Sequence, residues 1–276
     1  MIGQAERLHE LNALKRLSQP LVAACPIVAF TSGKGGTGKS FISLNLAAAL
    51  SRVNKKVLIV DLDANLSSIN VMMNITAKET VYDFFMNKCM LNELIIKYDT
   101  HLHLIPGDSG KIDHPVLTTD KLNFFFEQLK FISKNYDFIF IDSGAGAGDD
   151  VLSILSFVSA PVIVTTPEPT AIMDAYVIIK LLLNDFNKNQ IHVIVNRAKS
   201  MLEGRNAFEN LNKAVRFFLS YEIKLLGVVE SADEASMSIT EQKIMLKAYP
   251  DSRLAREIIA LSKNFDKIIQ LANNNQ

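Results

Sequence analysis

The strongest constraint in this chain is the stretch "TSGKGGTGKS", Thr31 to Ser40, which directly follows the apolar run "PIVAF". Within it Gly33, Gly38, Lys39 and Ser40 have the spacing G-x-x-x-x-G-K-[ST]. The mechanics of that pattern require a strand, a phosphate-cradling loop and a helix, in that order. Glycines at 33, 35, 36 and 38 let the backbone wrap closely around phosphate, with amide N–H groups and the start of the following helix pointing inward. Lys39 is placed to reach the terminal phosphates of a nucleotide and Ser40 to bind magnesium. A second lysine, Lys34, has no role in the basic pattern.

Short β-branched apolar runs alternate with helical patterns along the rest of the chain. The runs are "PIVAFTS" (26–32), "VLIVDLD" (57–63), "HLHLIPG" (101–107), "FIFIDSG" (138–144), "APVIVTTP" (160–167), "IHVIVNR" (191–197) and "KLLGVVE" (224–230). Most lack strict polar–apolar alternation, as expected of strands covered on both faces of a parallel sheet. Between them "SFISLNLAAALSRV", "KLNFFFEQLKFI" and "AIMDAYVIIKLLLNDF" carry apolar residues at helical spacing. The alternation predicts an α/β fold, a doubly wound and mostly parallel sheet with helices on both faces. Ligands of such sheets bind beyond the carboxyl ends of the strands. Chemistry is therefore expected at Ser32-Gly33, Asp61-Asp63, Gly107, Asp142-Gly144, Thr165-Pro167 and Asn196-Arg197.

The 276 residues are 49% hydrophobic, enough for a substantial core. Lys+Arg and Asp+Glu both number 29, and the absence of a basic excess argues against a nucleic-acid partner. Two cysteines, Cys25 and Cys89, lie far apart without metal spacing, which suits a reducing cytoplasm. The charged N-terminus lacks the apolar core of a signal peptide. The region "VLSILSFVSAPVIVTT" is broken by serines and Pro161, and reads as a helix followed by a buried strand.

Two carboxylate clusters close apolar strands. In "VLIVDLDAN", Asp63 reads as the residue beside the attacking water and Asp61 as part of the metal shell; the plainer alternative is a polar strand end with a helix cap. In "YDFIFIDSGAG", Asp142 follows four apolar residues, the arrangement that holds magnesium in P-loop enzymes, while Asp137 reads as structural.

"SGKGGTGKS" resembles the deviant Walker A motif of the MinD/ParA family of ATPases, and Asp61, Asp63 and the "DSGAG" turn match its other motifs. The resemblance implies ATP and Mg2+ as ligands. It implies that Lys34 crosses a dimer interface to the phosphates of the opposite subunit, as an arginine finger does. Lys34, Lys39 and Asp63 would then carry catalysis. Gly33, Gly35, Gly36, Thr37, Gly38, Lys39, Ser40 and Phe41 would hold the nucleotide, and Ser40, Asp61 and Asp142 the metal. Asn196, with Arg197 in "VIVNRA", would read adenine, although Asn196 alone is equally a turn residue. Further stretches, "HLIPGDSG", "VTTPEPTAIMDAYVIIK", "EGRNAFENL" and "LKAYPDS", are similar to the flagellar-number branch of that family, called FlhG, FleN or YlxH. That branch implies control of flagellar number or placement by a slow, dimer-dependent ATPase. Two departures stand out. Asn65 replaces the usual glycine after the D-x-D pair, and Glu230-Ser231-Ala232-Asp233 stands where relatives carry Pro-x-Asp.

The expected organisation is an N-terminal arm, 1–20, and a single ATPase domain, 21–276, ending in an amphipathic helix, 251–276. In the arm, Leu8, Leu11, Leu14 and Leu17 have helical spacing. Gln4, Ala5 and Leu8 match the branch's motif for an FlhF-type GTPase partner, from which Gly3 and His9 depart. The last helix aligns Leu254, Ile258, Leu261, Phe265, Ile268 and Ile269. This stripe suits either docking on the sheet or peripheral contact with the inner face of the cell membrane. Rival readings are a division- or DNA-positioning member of the family, a nucleotide-gated scaffold with little hydrolysis, and a metabolic kinase or synthetase, for which no acceptor motif is visible.

Overall fold

A computed structural model describes residues 23–63, 68–108, 116–186 and 190–273, with side chains as far as Ile269. The N-terminal arm, with Gln4, Ala5 and Leu8, lies outside the described residues, as does most of the loop after Asp63.

The elements are β1 (Ile27–Ser32), α1 (Lys39–Ser51), β2 (Val57–Leu62), α2 (Ile69–Met72), α3 (Val81–Phe85), β3 (Ile96–Lys97), β4 (Leu102–Ile105), α4 (Thr119–Ser133), β5 (Phe138–Ala145), α5 (Asp149–Phe157), β6 (Ala160–Thr165), α6 (Pro169–Phe186), β7 (His192–Ala198), α7 (Met201–Leu219), β8 (Lys224–Glu230), α8 (Asp233–Thr240), α9 (Met245–Ala248) and α10 (Arg253–Asn273). The eight strands among the described residues join one sheet in the order β3-β4-β2-β5-β1-β6-β7-β8. The pairings are parallel except for the edge strand β3, which runs antiparallel to β4.

Strand residues alternate between two cores. Ile27, Ala29, Ile139 and Ile141 face the layer built by α3 to α7. Val28, Phe30, Phe138 and Phe140 face α1, α2, α9 and α10. Burial on both faces explains why the inner strands read as continuous apolar runs. Strand β5 lies between β2 and β1, with Asp142 in register with Asp61 on one side and with Phe30 on the other. The ends of three strands distant in sequence thus meet at one point.

Helix α10 settles the question of the C-terminal stripe. Leu254, Ile258, Leu261, Phe265 and Ile269 are all buried, and Ile268 packs against them. Phe265 inserts among Phe30, Phe138 and Phe140, with ring centroids 6.3, 5.6 and 5.3 Å away. Through Ile269 the stripe packs on the sheet, the docking alternative. Among the described residues no helix is long and apolar enough to cross a membrane.

Phe265→Ala removes a buried ring from this cluster and is expected to lower unfolding stability by about 3–5 kcal/mol, read from urea denaturation. A loss under about 1 kcal/mol would mean that α10 is not part of the core.

Candidate functional site

The glycine-rich loop leaves β1 in the middle of the sheet and enters α1. Gly36 and Gly38 have φ of 82° and 85°, in the left-handed region that favours glycine. A Cβ on Gly38 would also lie 2.3 Å from Asn196 Nδ2, so this position must be bare. Gly33 is needed for a different reason: a Cβ there would lie 2.3 Å from the Cβ of Asp174 on α6. Gly35 and Gly36 form an exposed turn, whereas Thr37, Lys39 and Phe41 are buried. The first bond to Gly38 O within α1 comes from Ile42 N–H at 2.9 Å. The amides of Lys39, Ser40 and Phe41 therefore precede the helical ladder and face the loop, a ready anion site.

Lys39 occupies the centre. Its Nζ is 2.9 Å from Asp142 Oδ1, 3.5 Å from Asp63 Oδ2 and 3.3 Å from Ser40 Oγ. Burial opposes its charge, but Asp142 and Asp63 more than offset this and hold the ammonium above its ordinary value. Burial pushes the Asp142 carboxyl up, offset only in part by Lys39 and the Ser40 hydroxyl. The second Asp142 oxygen, Oδ2, is buried without a hydrogen-bond partner among the described residues, and so is Thr37 Oγ1. Unpaired buried polar atoms cost about 1–3 kcal/mol each. A free carboxylate oxygen beside a hydroxyl is the donor set of a magnesium ion that keeps most of its waters. The residues fit that ion.

Asp61 is fully buried, and its two oxygens accept backbone N–H groups of Asp63 at 3.1 Å and Ile69 at 3.2 Å. It ties together the residues on either side of the loop that follows β2, and so positions Asp63.

Lys34 is held away from Lys39. Its Nζ lies 2.5 Å from Glu168 Oε2 and 3.0 Å from Thr170 Oγ1, at the start of α6. The lysine lowers the Glu168 carboxyl below its usual range through this hydrogen bond and its charge. The expected reach to a second subunit thus meets a competing partner within the chain. Neither Glu168 nor Thr170 was legible as a partner, although both lie in the "TTPEPT" segment.

Asn196, near the end of β7, is buried and donates from Nδ2 to Thr37 O at 2.7 Å. Its neighbour Arg197 has φ 57° and an exposed side chain. Together with Gly38, Phe41, Ser231 and Ile239 they line a cavity of about 320 Å³ beside the loop, enough for a nucleobase and sugar. Glu230, in the stretch that replaces Pro-x-Asp, does not serve that cavity as a free group. Its carboxylate accepts from Met201 N–H at 2.8 Å and pairs with Arg253, which also pairs with Glu257 at 3.1 Å. It clamps α7 and α10 to the end of β8.

Asn196→Ala deletes the bond to Thr37 and one polar edge of the cavity. It is expected to weaken ATP binding about tenfold and to erode the preference for ATP over GTP, measured by competition with a fluorescent nucleotide. An unchanged preference would remove Asn196 from base recognition.

Comparison with known proteins agrees with this geometry. The sequence model of the ParA family, described as NUBPL iron-transfer P-loop NTPase, matches residues 24–265. Antiactivator FleN of Pseudomonas aeruginosa is 31% identical over 240 residues, spanning 87% of this chain and 86% of that protein. Flagellum site-determining protein YlxH of Helicobacter pylori is 35% identical over 262 residues, spanning 94% and 88%. Among solved structures, the septum site-determining protein MinD of Pyrococcus horikoshii, complexed with Mg-ADP, superposes with a TM-score of 0.75. It is 24% identical and covers 90% of this chain and 98% of that one, a likeness of fold. The loop, the buried lysine and these relatives together place the chain in the MinD/ParA family of P-loop ATPases.

Proposed function

We propose that the chain is an ATP-driven dimerising switch that sets flagellar number or placement. The observation that carries this reading is the separate seating of the two loop lysines. Lys39 lies in the buried acidic cluster, and Lys34 rests on Glu168 and Thr170 at the rim. The flagellar assignment is supported by the relatives FleN and YlxH, named as an antiactivator and a flagellum site-determining protein.

In this reading the amides of the loop and of the α1 start bind the β- and γ-phosphates of ATP, and Asn196 orients the adenine. Incoming phosphate competes with Asp142 and Asp63 for the Lys39 ammonium. That exchange releases Asp63 from Lys39, and Asp63 then orients a water against the γ-phosphorus and accepts its proton. The water oxygen bonds to phosphorus as the bond to the β–γ bridging oxygen breaks, and the charge of that oxygen falls on Lys39. Ser40 and Asp142 Oδ2 would hold Mg2+, which neutralises phosphate charge when bound. Lys34 leaves Glu168 and Thr170 to meet the phosphates of a second copy, so that dimerisation and slow turnover depend on each other. Residues Gln4, Ala5 and Leu8 serve an FlhF-type GTPase as partner.

Lys34→Ala is expected to leave monomer affinity for ATP within about twofold while abolishing the ATP-dependent dimer and cutting turnover at least about a hundredfold. Sedimentation velocity with a non-hydrolysable analogue and single-turnover phosphate release measure both. Unchanged dimerisation with unchanged turnover would remove Lys34 from the mechanism.

A further inference from the structure

The outward side of α4 carries two phenylalanines, Phe124 and Phe131, that are 50% and 62% exposed. They are seven residues apart, so they share one side of the helix, about 10.5 Å apart along its axis. The Phe124 ring stacks on buried Phe84 of α3 at 5.5 Å and 0°. Phe84 in turn meets Phe85 and Phe125 edge-on. Met86 and Met90, in the segment that leaves α3, are exposed as well. An aromatic cluster of the core thus continues onto the surface. Single exposed apolar residues are ordinary, but a group built on ordered aromatic contacts marks a docking place.

The chain itself brings an occupant to this place. Ala24 N–H donates to Ser133 Oγ at 3.0 Å, so the N-terminal arm leaves the domain at the end of α4, two residues beyond Phe131. Residues 18–22 join Leu17 to Ala23 and reach up to about 17 Å, more than the roughly 10 Å width of a helix. Leu11, Leu14 and Leu17 fall within about 120° of arc on a helix and span about 9 Å along it, a match to the Phe124–Phe131 pair. Glu127 lies between the two rings and Lys134 one turn past Phe131, both exposed. The arm carries Glu6, Arg7, Glu10, Lys15 and Arg16, mixed signs to meet mixed signs.

We propose that the arm docks on its own domain, with Leu11, Leu14 and Leu17 laid across Phe124 and Phe131, and with Lys15, at the edge of the leucine arc, against Glu127. Gln4, Ala5 and Leu8 stay outside this contact, so the docking stands apart from any partner they serve. Tethering selects this occupant over the others. So short a linker holds the arm at millimolar effective concentration, and an intrinsic affinity of about 0.1 mM then keeps it about tenfold more docked than free. A second copy has no such help. The two rings leave only about 200 Å² uncovered, against about 800 Å² on each side of a stable dimer. Glu127, between the rings, opposes an anionic bilayer.

Amide hydrogen exchange of the intact chain tests this. Residues 9–18 are expected to exchange at least about tenfold more slowly than in a synthetic peptide of residues 1–20. Replacing both rings, Phe124→Ser with Phe131→Ser, is expected to abolish that protection while the amides of the sheet keep theirs. Lys15→Glu, which leaves the domain untouched, is expected to reduce the protection, and adding Glu127→Lys to restore it. Arm amides that exchange as fast as those of the peptide would overturn the proposal, and so would protection that survives the double serine variant. Protection that fades on dilution would assign the face to a second copy and overturn it equally. Protection seen only with added phosphatidylglycerol–phosphatidylcholine vesicles would do the same in favour of lipid.

Discussion

The Lys39 ammonium lies 2.9 Å from Asp142 Oδ1 and 3.5 Å from Asp63 Oδ2, and the three residues come from distant parts of the chain. A buried charge is tolerable only when paired, so this cluster requires β1, β2 and β5 to end at the same place. The sheet order provides that, because β5 lies between β2 and β1. The aromatic cluster around Phe265 holds two of these strands, β1 and β5, on the face that α1 also covers. Packing thus supplies the rigidity, and the charged cluster supplies the chemistry. An unpaired Asp142 oxygen and an unpaired Thr37 hydroxyl leave that chemistry open to a phosphate and a metal ion.

The second lysine shows how one loop serves two tasks. Gly33 allows the loop to pass against Asp174, which brings Lys34 within reach of Glu168 and Thr170. The start of α6 is therefore coupled to the nucleotide loop through an exposed ion pair. Exposed pairs of this kind are weak, so the contact is easily exchanged for a stronger anion. That is the property a switch between one chain and two demands.

Much of this was legible in the sequence because buried parallel strands and a phosphate loop leave strong local signals. The seven apolar runs became seven strands, and "SFISLNLAAALSRV" became α1. Strand β3 was not legible: Ile96–Lys97 is two residues long, incompletely buried and held only by pairing with β4. The stripe on α10 was legible as amphipathic, but a stripe alone does not say whether a sheet or a bilayer covers it. Asp61 looked like a ligand because it shares a strand end with Asp63. Only the structure reveals that its oxygens face backbone amides. The partners of Glu168 and Glu230 were not legible, since a lone glutamate beside a proline or at a strand end has no period or spacing to betray its partner.

The Lys39 cluster is read as a phosphate site, with Lys39 as its indispensable cation. Equilibrium titration of a fluorescent ATP analogue into the protein and into Lys39→Ala, each with Mg2+ and with chelator, tests it most directly. The expected result is Mg2+-enhanced binding to the parent and loss of at least about a hundredfold in affinity in the variant, with the fold intact by circular dichroism. Near-equal affinity of the folded variant and the parent would contradict the account.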